Sequence, residues 1–242
     1  MQENILNIHS AHQIASGKNI IVAILDHLFA KEHHVFLDRI ILPGCVVDKC
    51  PVFSTEGQGT WIAQALVKIA PDVKIMPVRI YGKNLYANSD LFIKGIHYAV
   101  ENGASIICSN HRPMQKKYQK DLDHAIERAS KREICFVDAH YTGIREDVII
   151  PALAEFAPLD KGKKLVYVLG SYRTAENLFS TSWGLSHASP LVSGLVALMK
   201  EIRPQLSPLK TKQILLKSFT PTSQGYPLLD ALKTLKNVVD TD

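Results

Sequence analysis

Cysteine, long apolar runs and a strong excess of one charge are the features that this sequence has least of. Four cysteines in 242 residues fall far short of a disulfide framework, and no apolar stretch is long enough to span a bilayer. The formal net charge of +5 is modest, and the basic residues are scattered as on an ordinary solvated surface. We therefore expect neither a nucleic-acid partner nor a membrane partner.

The cysteines divide into two pairs by their surroundings. Cys108 and Cys135 lie inside apolar runs, where a reduced core thiol is expected. Cys45 and Cys50 lie close together in a predicted loop, which leaves a disulfide between them, or half of a metal site, open. No second pair of cysteines or histidines has matching ligand spacing, and no loop is rich in carboxylates, so we predict no metal and no cofactor.

Length and composition indicate an ordinary globular protein. A hydrophobic share of 46% and a charged share of 21% are typical of a chain with a sizeable core, and we expect a single domain over residues 1–242. The first strong apolar run begins only at Ile20, with no charged and then apolar leader before it. We therefore expect no signal peptide and a cytoplasmic location, while the oligomeric state stays open.

Short apolar runs alternate with helical patterns along the chain, which is typical of parallel strands joined by crossover helices. The predicted strands cover residues 19–25, 73–80, 104–108, 134–137 and 165–169. The predicted helices cover residues 60–69, 89–100, 122–129 and 187–202, and a further helix begins at Pro208. This order predicts an α/β fold with a doubly wound, mostly parallel sheet flanked by helices.

Three segments have the residue types that catalysis needs. Asp26 ends a predicted strand, where functional groups of doubly wound sheets collect. Residues 57–61, with the sequence GQGTW, open a predicted helix and contain two glycines. Residues 183–190 read WGLSHASP and place Ser186 before a helix, where backbone amides favour developing negative charge. Each segment is weak by itself, but their order along the chain is specific.

Together these segments resemble the subtilase family of serine peptidases over nearly the whole chain. Residues 21–26, IVAILD, are similar to the family's aspartate strand, and residues 184–194, GLSHASPLVSG, to its Gly-Thr-Ser-Met-Ala-x-Pro-x-Val-x-Gly helix. The resemblance implies a subtilisin-like fold, with Asp26 as the triad aspartate and Ser186 at the nucleophile position. The inhibitory propeptide of secreted subtilases is not expected, because the chain begins near the boundary of the catalytic domain.

The same resemblance predicts that the general base has been lost. The segment GQGTW takes the place of the family's Gly-His-Gly-Thr-His, so that Gln58 replaces the catalytic histidine and Trp61 the second one. A glutamine amide takes up no proton near neutral pH. Loss of the base lowers the rate of a triad enzyme by several orders of magnitude, so proteolysis by the family mechanism is not expected.

Two further motifs also depart from the family pattern. The peptide-binding strand, Ser-Leu-Gly in the family, reads Ser109-Asn110-His111 here. The oxyanion asparagine has no clear counterpart, because an ungapped alignment places Thr142 there and a small gap places His140 there instead. Loss of an oxyanion donor costs roughly a hundredfold or more in rate.

Several residues are candidates for a substitute base. His187 follows Ser186 directly, but neighbouring residues at a helix start point in different directions, which favours a packing role. His27, His140 and Glu56 lie in loops expected to border the same cleft, and a Ser/Glu pair would resemble the related sedolisins. Spacing does not favour Glu56, which is two residues away from the base position.

Three hypotheses follow from these observations. The preferred one is a subtilisin-like peptidase homologue that has become a pseudoprotease and binds a peptide or protein partner without cleaving it. The alternative is a divergent, active serine endopeptidase with a replacement base. A third and less favoured hypothesis makes the chain an assembly subunit.

Overall fold

The computed structural model describes most of the chain, from residue 7 to residue 241. The described residues are 7–48, 50–82, 88–110, 116–139, 149–154, 166–168, 172–173, 179–180, 188–221 and 227–241.

In the part of the chain that the structure describes, a parallel sheet of seven strands forms the centre of the fold. Its strands are β1 (Ile21–Asp26), β3 (Gly44–Cys45), β5 (Lys74–Arg79), β6 (Ile106–Ser109), β7 (Cys135–Asp138), β8 (Ile149–Ala154) and β9 (Val166–Val168). Their order across the sheet is β3-β5-β1-β6-β7-β8-β9, and each adjacent pair is parallel. Three small two-stranded sheets pair β2 (Phe29–Ala30) with β4 (Phe53–Ser54), β10 (Tyr172–Arg173) with β11 (Phe179–Ser180), and β12 (Phe219–Pro221) with β13 (Pro227–Leu229).

Helices cover both faces of the central sheet. The described helices are α1 (Ile8–Ala11), α2 (Gln58–Ile69), α3 (Ser89–Glu101), α4 (Gln119–Lys131), α5 (Ala188–Ile202), α6 (Pro208–Lys217) and α7 (Ala231–Val239), with short 3-10 turns at His34–Phe36 and Lys116–Tyr118. Helices α2 and α5 pack in one apolar layer with α1, α6 and α7, whereas α3 and α4 pack in the layer on the opposite face. The fold is therefore three-layered, as predicted for a doubly wound α/β protein.

Strand β1 is buried on both faces because its alternate side chains enter opposite layers. Val22 and Ile24 pack with α2 and α5, while Ala23 and Leu25 pack with α3 and α4. A strand between two layers reads as a continuous apolar run, which is why this segment was recognisable from sequence.

The carboxyl end of β1 lies at the point where the chain reverses its direction across the sheet. From β1 the chain crosses through α2 to β5 on one side, and from β5 it crosses through α3 to β6 on the other side. In open α/β sheets, ligands bind beyond the carboxyl ends of the strands at such a reversal point. Asp26, the last residue of β1, therefore stands at the position that this fold favours for a functional group.

The predicted elements exist, but their bounds shift by one to three residues. Helix α2 begins at Gln58 rather than residue 60, and α4 extends to Gln119–Lys131 beyond the predicted 122–129. The cap of α3 is Asn88, whose side chain accepts from the Leu91 amide. End residues carry weak periodic signals, so their placement depends on packing and capping.

Helix α7 and strand β8 were not predicted from the sequence. Helix α7 is capped by Asp230, whose carboxyl accepts from the Lys233 amide at 3.0 Å. The predicted start of α6 is confirmed, because Ser207 caps it and Pro208 is its first residue.

All four cysteines are free thiols, so the open question of a bond between Cys45 and Cys50 is answered by two separate, partly exposed thiols. Cys108 and Cys135 are buried, as predicted. Among the described helices, none combines the length and apolar character needed to cross a membrane.

Candidate active site

Asp26 is completely buried, with a relative exposure of 0%. Its Oδ1 accepts a hydrogen bond from the His27 backbone amide at 2.7 Å, and the Asn110 side chain also hydrogen-bonds the carboxyl group. Burial raises the pKa of Asp26 to about 7, although both hydrogen bonds lower it by stabilising the ionised form. The carboxyl therefore takes up or releases a proton near neutral pH.

A buried hydrogen-bond chain runs from Asp26 into the first turn of α5. The Ser189 hydroxyl donates to Oδ1 of Asn110, and the Cys108 thiol donates to the Ser189 hydroxyl over 3.6 Å. Asn110 and Ser189 are 1% and 0% exposed. Because Leu25 and Ser109 are partners across β1 and β6, the next residues, Asp26 and Asn110, are brought side by side at the end of the sheet. The chain thus links β1, β6 and α5.

The amino end of α2 is clamped against the loop after β1. The Gly59 amide donates to the Leu28 carbonyl at 3.1 Å, and the Thr60 hydroxyl accepts from the Ala30 amide at 2.8 Å. A Cβ at Gly57 would lie 1.9 Å from the Leu28 carbonyl oxygen, and one at Gly59 would lie 2.3 Å from the Phe29 ring. The two glycines and Thr60 are therefore needed for packing, whatever residue stands between them.

Gln58 and Trp61, the other residues of this motif, face solvent. Gln58 is exposed in the first turn of α2, and Trp61, one turn later on the same side, is 54% exposed. The Gln58 side chain makes no hydrogen bond with any residue that the structure describes. The position predicted for the lost base is thus an open surface position rather than part of the buried chain at Asp26.

His27, Tyr81 and Arg79 complete the surroundings of Asp26. The His27 ring lies edge-on to Tyr81, with centroids 5.6 Å apart. Burial lowers the pKa of His27, and the positive charge of Arg79 lowers it further, so both favour the neutral form of the imidazole. Burial, followed by the charge of Asp26, raises the pKa of Tyr81, so this phenol stays protonated. Arg79 is itself buried and donates to the carbonyls of Pro51 and Tyr81, at 2.7 and 2.8 Å.

Solved structures match this fold over nearly the whole chain. Fervidolysin from Fervidobacterium pennivorans, a keratinolytic enzyme related to subtilisin, superposes with a TM-score of 0.70 at 19% identity, covering 94% of this chain. The fold is subtilisin-like. A lanthipeptide protease also matches, with a TM-score of 0.70 at 18% identity, covering 94% of this chain and 90% of that one. This chain spans 44% of the fervidolysin chain, so it matches less than half of that protein.

The family comparison agrees with this fold. Residues 144–232 match the model of the subtilase family, Peptidase_S8, a segment that includes Ser186 and helix α5. A comparison with curated proteins finds no match. Family match and structural likeness together support homology to subtilisin-like serine peptidases, which agrees with the resemblance seen in the sequence.

The subtilisin-like fold brings some of the predicted site residues together. Asp26 and Asn110 are in contact, and His27 lies beside them. Glu56 is exposed in the loop before α2. Ser109 and Asn110 are completely buried, which differs from the accessible strand edge that a peptide-binding role implies. Four further predicted positions and the nucleophile position lie outside the described residues: His111, His140, Thr142, His187 and Ser186.

Sequence reasoning missed Ser189, Cys108 and Arg79 as members of this site. Ser189 is a buried polar residue in the mostly apolar helix α5, and Arg79 is a charged residue at the end of a buried strand. Buried polar residues need hydrogen-bond partners, so both residues could have been chosen as candidates from the sequence. The comparison with the subtilisin-like motif did not single them out.

The structure also shows how possible metal ligands are grouped and where one cavity lies relative to the site. Within the described part of the chain, no three His, Cys, Asp or Glu residues are grouped as metal ligands would be. A cavity of about 420 Å³ lies near Ile20, Ser105 and Glu133, which precede β1, β6 and β7. It therefore opens at the amino edge of the sheet, opposite to Asp26.

Proposed function

We propose that this chain is a pseudoprotease: a subtilisin-like peptidase homologue that binds a peptide or protein partner without cleaving it. The proposal rests on the residue at the position of the base. A glutamine amide accepts no proton near neutral pH, so it cannot activate a serine hydroxyl.

The way in which the GQGTW motif has changed supports the same proposal. Gly57, Gly59 and Thr60 are the members that fasten α2 to the loop after β1, and they match the family motif. Gln58 and Trp61 are the members exposed to solvent, and they differ from it. The packing residues of the motif are thus kept, and the histidines are replaced. This is the pattern expected when a protein keeps the fold of an enzyme and loses its catalytic activity.

A binding role agrees with what is exposed at this end of the molecule. Trp61 presents more than half of its surface to solvent. Tryptophan is enriched among the residues that contribute most to protein interfaces, because its large ring buries much area at little cost in side-chain entropy. The partner expected for a subtilisin-like cleft is an extended peptide.

Covalent labelling tests the loss of catalysis. Wild-type protein and Ser186→Ala are incubated with a fluorophosphonate probe over a range of pH and analysed by intact mass. We expect the wild type to label no more than Ser186→Ala, because nothing deprotonates the Ser186 hydroxyl. Labelling of the wild type at Ser186 that is absent from Ser186→Ala would contradict the proposal.

Peptide capture tests the binding half. A library of extended peptides is equilibrated with the wild type and with Trp61→Ala, and the bound and free peptides are identified by mass. We expect intact peptides on the wild type and weaker retention on Trp61→Ala. Cleaved products, or no retention by a folded wild type, would contradict the proposal, and the second result would favour an assembly subunit.

An active enzyme with a replacement base remains the alternative, and one observation favours His27 as that base. Burial and the charge of Arg79 both lower the pKa of His27 and so favour its neutral form, and a neutral imidazole can accept a proton. If the wild type is labelled, His27→Ala and Glu56→Gln distinguish the two described candidates, since only loss of the true base abolishes labelling. The cytoplasmic location stays a prediction.

A further inference from the structure

The hydrogen-bond chain at Asp26 has the order of a catalytic triad with an amide in its centre. Asp26 stands at one end, Asn110 in the middle and the Ser189 hydroxyl on the far side. In a Ser-His-Asp triad, an imidazole bridges the carboxylate and the serine oxygen and can carry a proton between bonds. An asparagine amide makes the same two hydrogen bonds but moves no proton.

We propose that Asn110 is a positioning residue that occupies the hydrogen-bonding place of an imidazole at Asp26 and so converts this aspartate from a catalytic orienter into a structural anchor. The inference rests on the proposed function, and it adds that the site carries a second change besides Gln58. Ser189, which is not the predicted nucleophile, is the residue that α5 contributes to this chain of hydrogen bonds.

The direction of these hydrogen bonds indicates that the side chains of Asp26, Asn110 and Ser189 hold a fixed arrangement. Oδ1 of Asn110 accepts from Ser189, which leaves the amide nitrogen of Asn110 as the group that donates to Asp26. The Cys108 thiol donates to Ser189 in turn, so every donor points towards the carboxyl group. Hydrogen bonds arranged in one direction strengthen one another in a buried site.

Burial explains why a histidine at position 58 is not sufficient to restore the triad. The Asp26 carboxyl has no exposed surface, whereas position 58 is exposed. Oδ1 of Asp26 is already bonded to the His27 amide, and Asn110 also holds the carboxyl. An imidazole entering from position 58 must therefore reach a buried carboxyl group that already contacts Asn110, which is itself held by Ser189.

Titration of Asp26 tests the contact directly. The protein is labelled with ¹³C at aspartate carboxyl carbons, and the Asp26 signal is followed against pH in the wild type, Asn110→Ala and Ser193→Ala. We expect Asn110→Ala to raise the pKa of Asp26, because a bond to the ionised form is lost. Ser193 is the control, since its buried hydroxyl lies beside Cys108 and not on the carboxyl. An unchanged Asp26 titration in Asn110→Ala overturns the inference.

Fluorophosphonate labelling tests the consequence. We expect Gln58→His to stay unlabelled and Gln58→His/Asn110→Ala to gain labelling at Ser186 above a Ser186→Ala background. Labelling of Gln58→His alone, or no labelling of the folded double variant, overturns the inference. Asn110→Ser is prepared in parallel, because a smaller polar residue keeps a partner for Ser189 if the alanine variant does not fold. Labelling of the wild type contradicts the proposed function instead, so the two failures are distinguishable.

Discussion

The Asp26 carboxyl shows how a single residue couples burial to pH. Its pKa is about 7 in the folded protein, against an ordinary value of 3.8. Between these values the folded protein holds a proton that the unfolded chain has released. Raising the pH through this window therefore favours the unfolded state, and the stability lost is not regained above pH 7.

We expect this loss to be measurable against Asp26→Asn, which has no carboxyl group to ionise. The free energy of unfolding of the wild type, relative to Asp26→Asn, should fall by up to about 4 kcal/mol between pH 4 and pH 8. Urea unfolding at each pH measures it. Asp72→Asn, at an exposed aspartate, is the matched control and should keep the wild-type profile. Parallel profiles for the wild type and Asp26→Asn would show that burial does not raise this pKa.

At the scale of elements, the amino end of α2 separates residues kept for packing from residues free to change. The Phe29 ring is completely buried and lies against Gly59, and the Leu28 carbonyl lies against Gly57. Neither neighbour can move without disturbing the layer beneath α2. Side chains at positions 58 and 61 point away from these contacts and into solvent.

Alanine substitutions within this one turn should therefore differ in effect. We expect Gly59→Ala to lower the free energy of unfolding by about 1–3 kcal/mol, because the added methyl group overpacks against Phe29. Gln58→Ala should change it by less than about 0.5 kcal/mol, since the amide is exposed. Urea unfolding of both variants gives the comparison. Equal stability of Gly59→Ala and wild type would mean that the clamp on α2 is loose.

At the scale of the whole molecule, the two apolar layers decide which groups reagents can reach. Cys108 and Cys135 lie in the layer that contains α5, and burial raises the pKa of both thiols, to about 11 for Cys108. Cys45 and Cys50 are partly exposed. Because the thiolate is the reactive form, the buried pair is protected both by access and by protonation.

We expect two of the four thiols to react with iodoacetamide in the native protein, and Cys108 and Cys135 to react only as the molecule unfolds. Peptide mapping by mass spectrometry identifies the modified residues, and the same reaction in guanidinium chloride, where all four should react, is the control. Rapid native modification of Cys108 or Cys135 would contradict a well-packed layer at α5. Slow modification at the rate of global unfolding is the expected result.

The sequence by itself determined the class of fold and the place of the acid. A strand buried on both faces is apolar along its length, so the strand that ends at Asp26 could be predicted from the sequence alone. Asp26 was then identified as the polar residue at its end. The proposed replacement of the base also came from the sequence, because a glutamine amide at position 58 accepts no proton near neutral pH.

Only the tertiary structure decided how the residues of the site are joined. Asn110 follows β6 and Ser189 lies in the first turn of α5, 79 residues away, so their hydrogen bond depends on packing that no local pattern records. The burial of Asp26, and with it the pKa near 7, depends equally on what covers it. Exposure of Gln58 beside the packed glycines was likewise invisible in the motif, because the spacing of a motif does not tell which of its residues reach solvent.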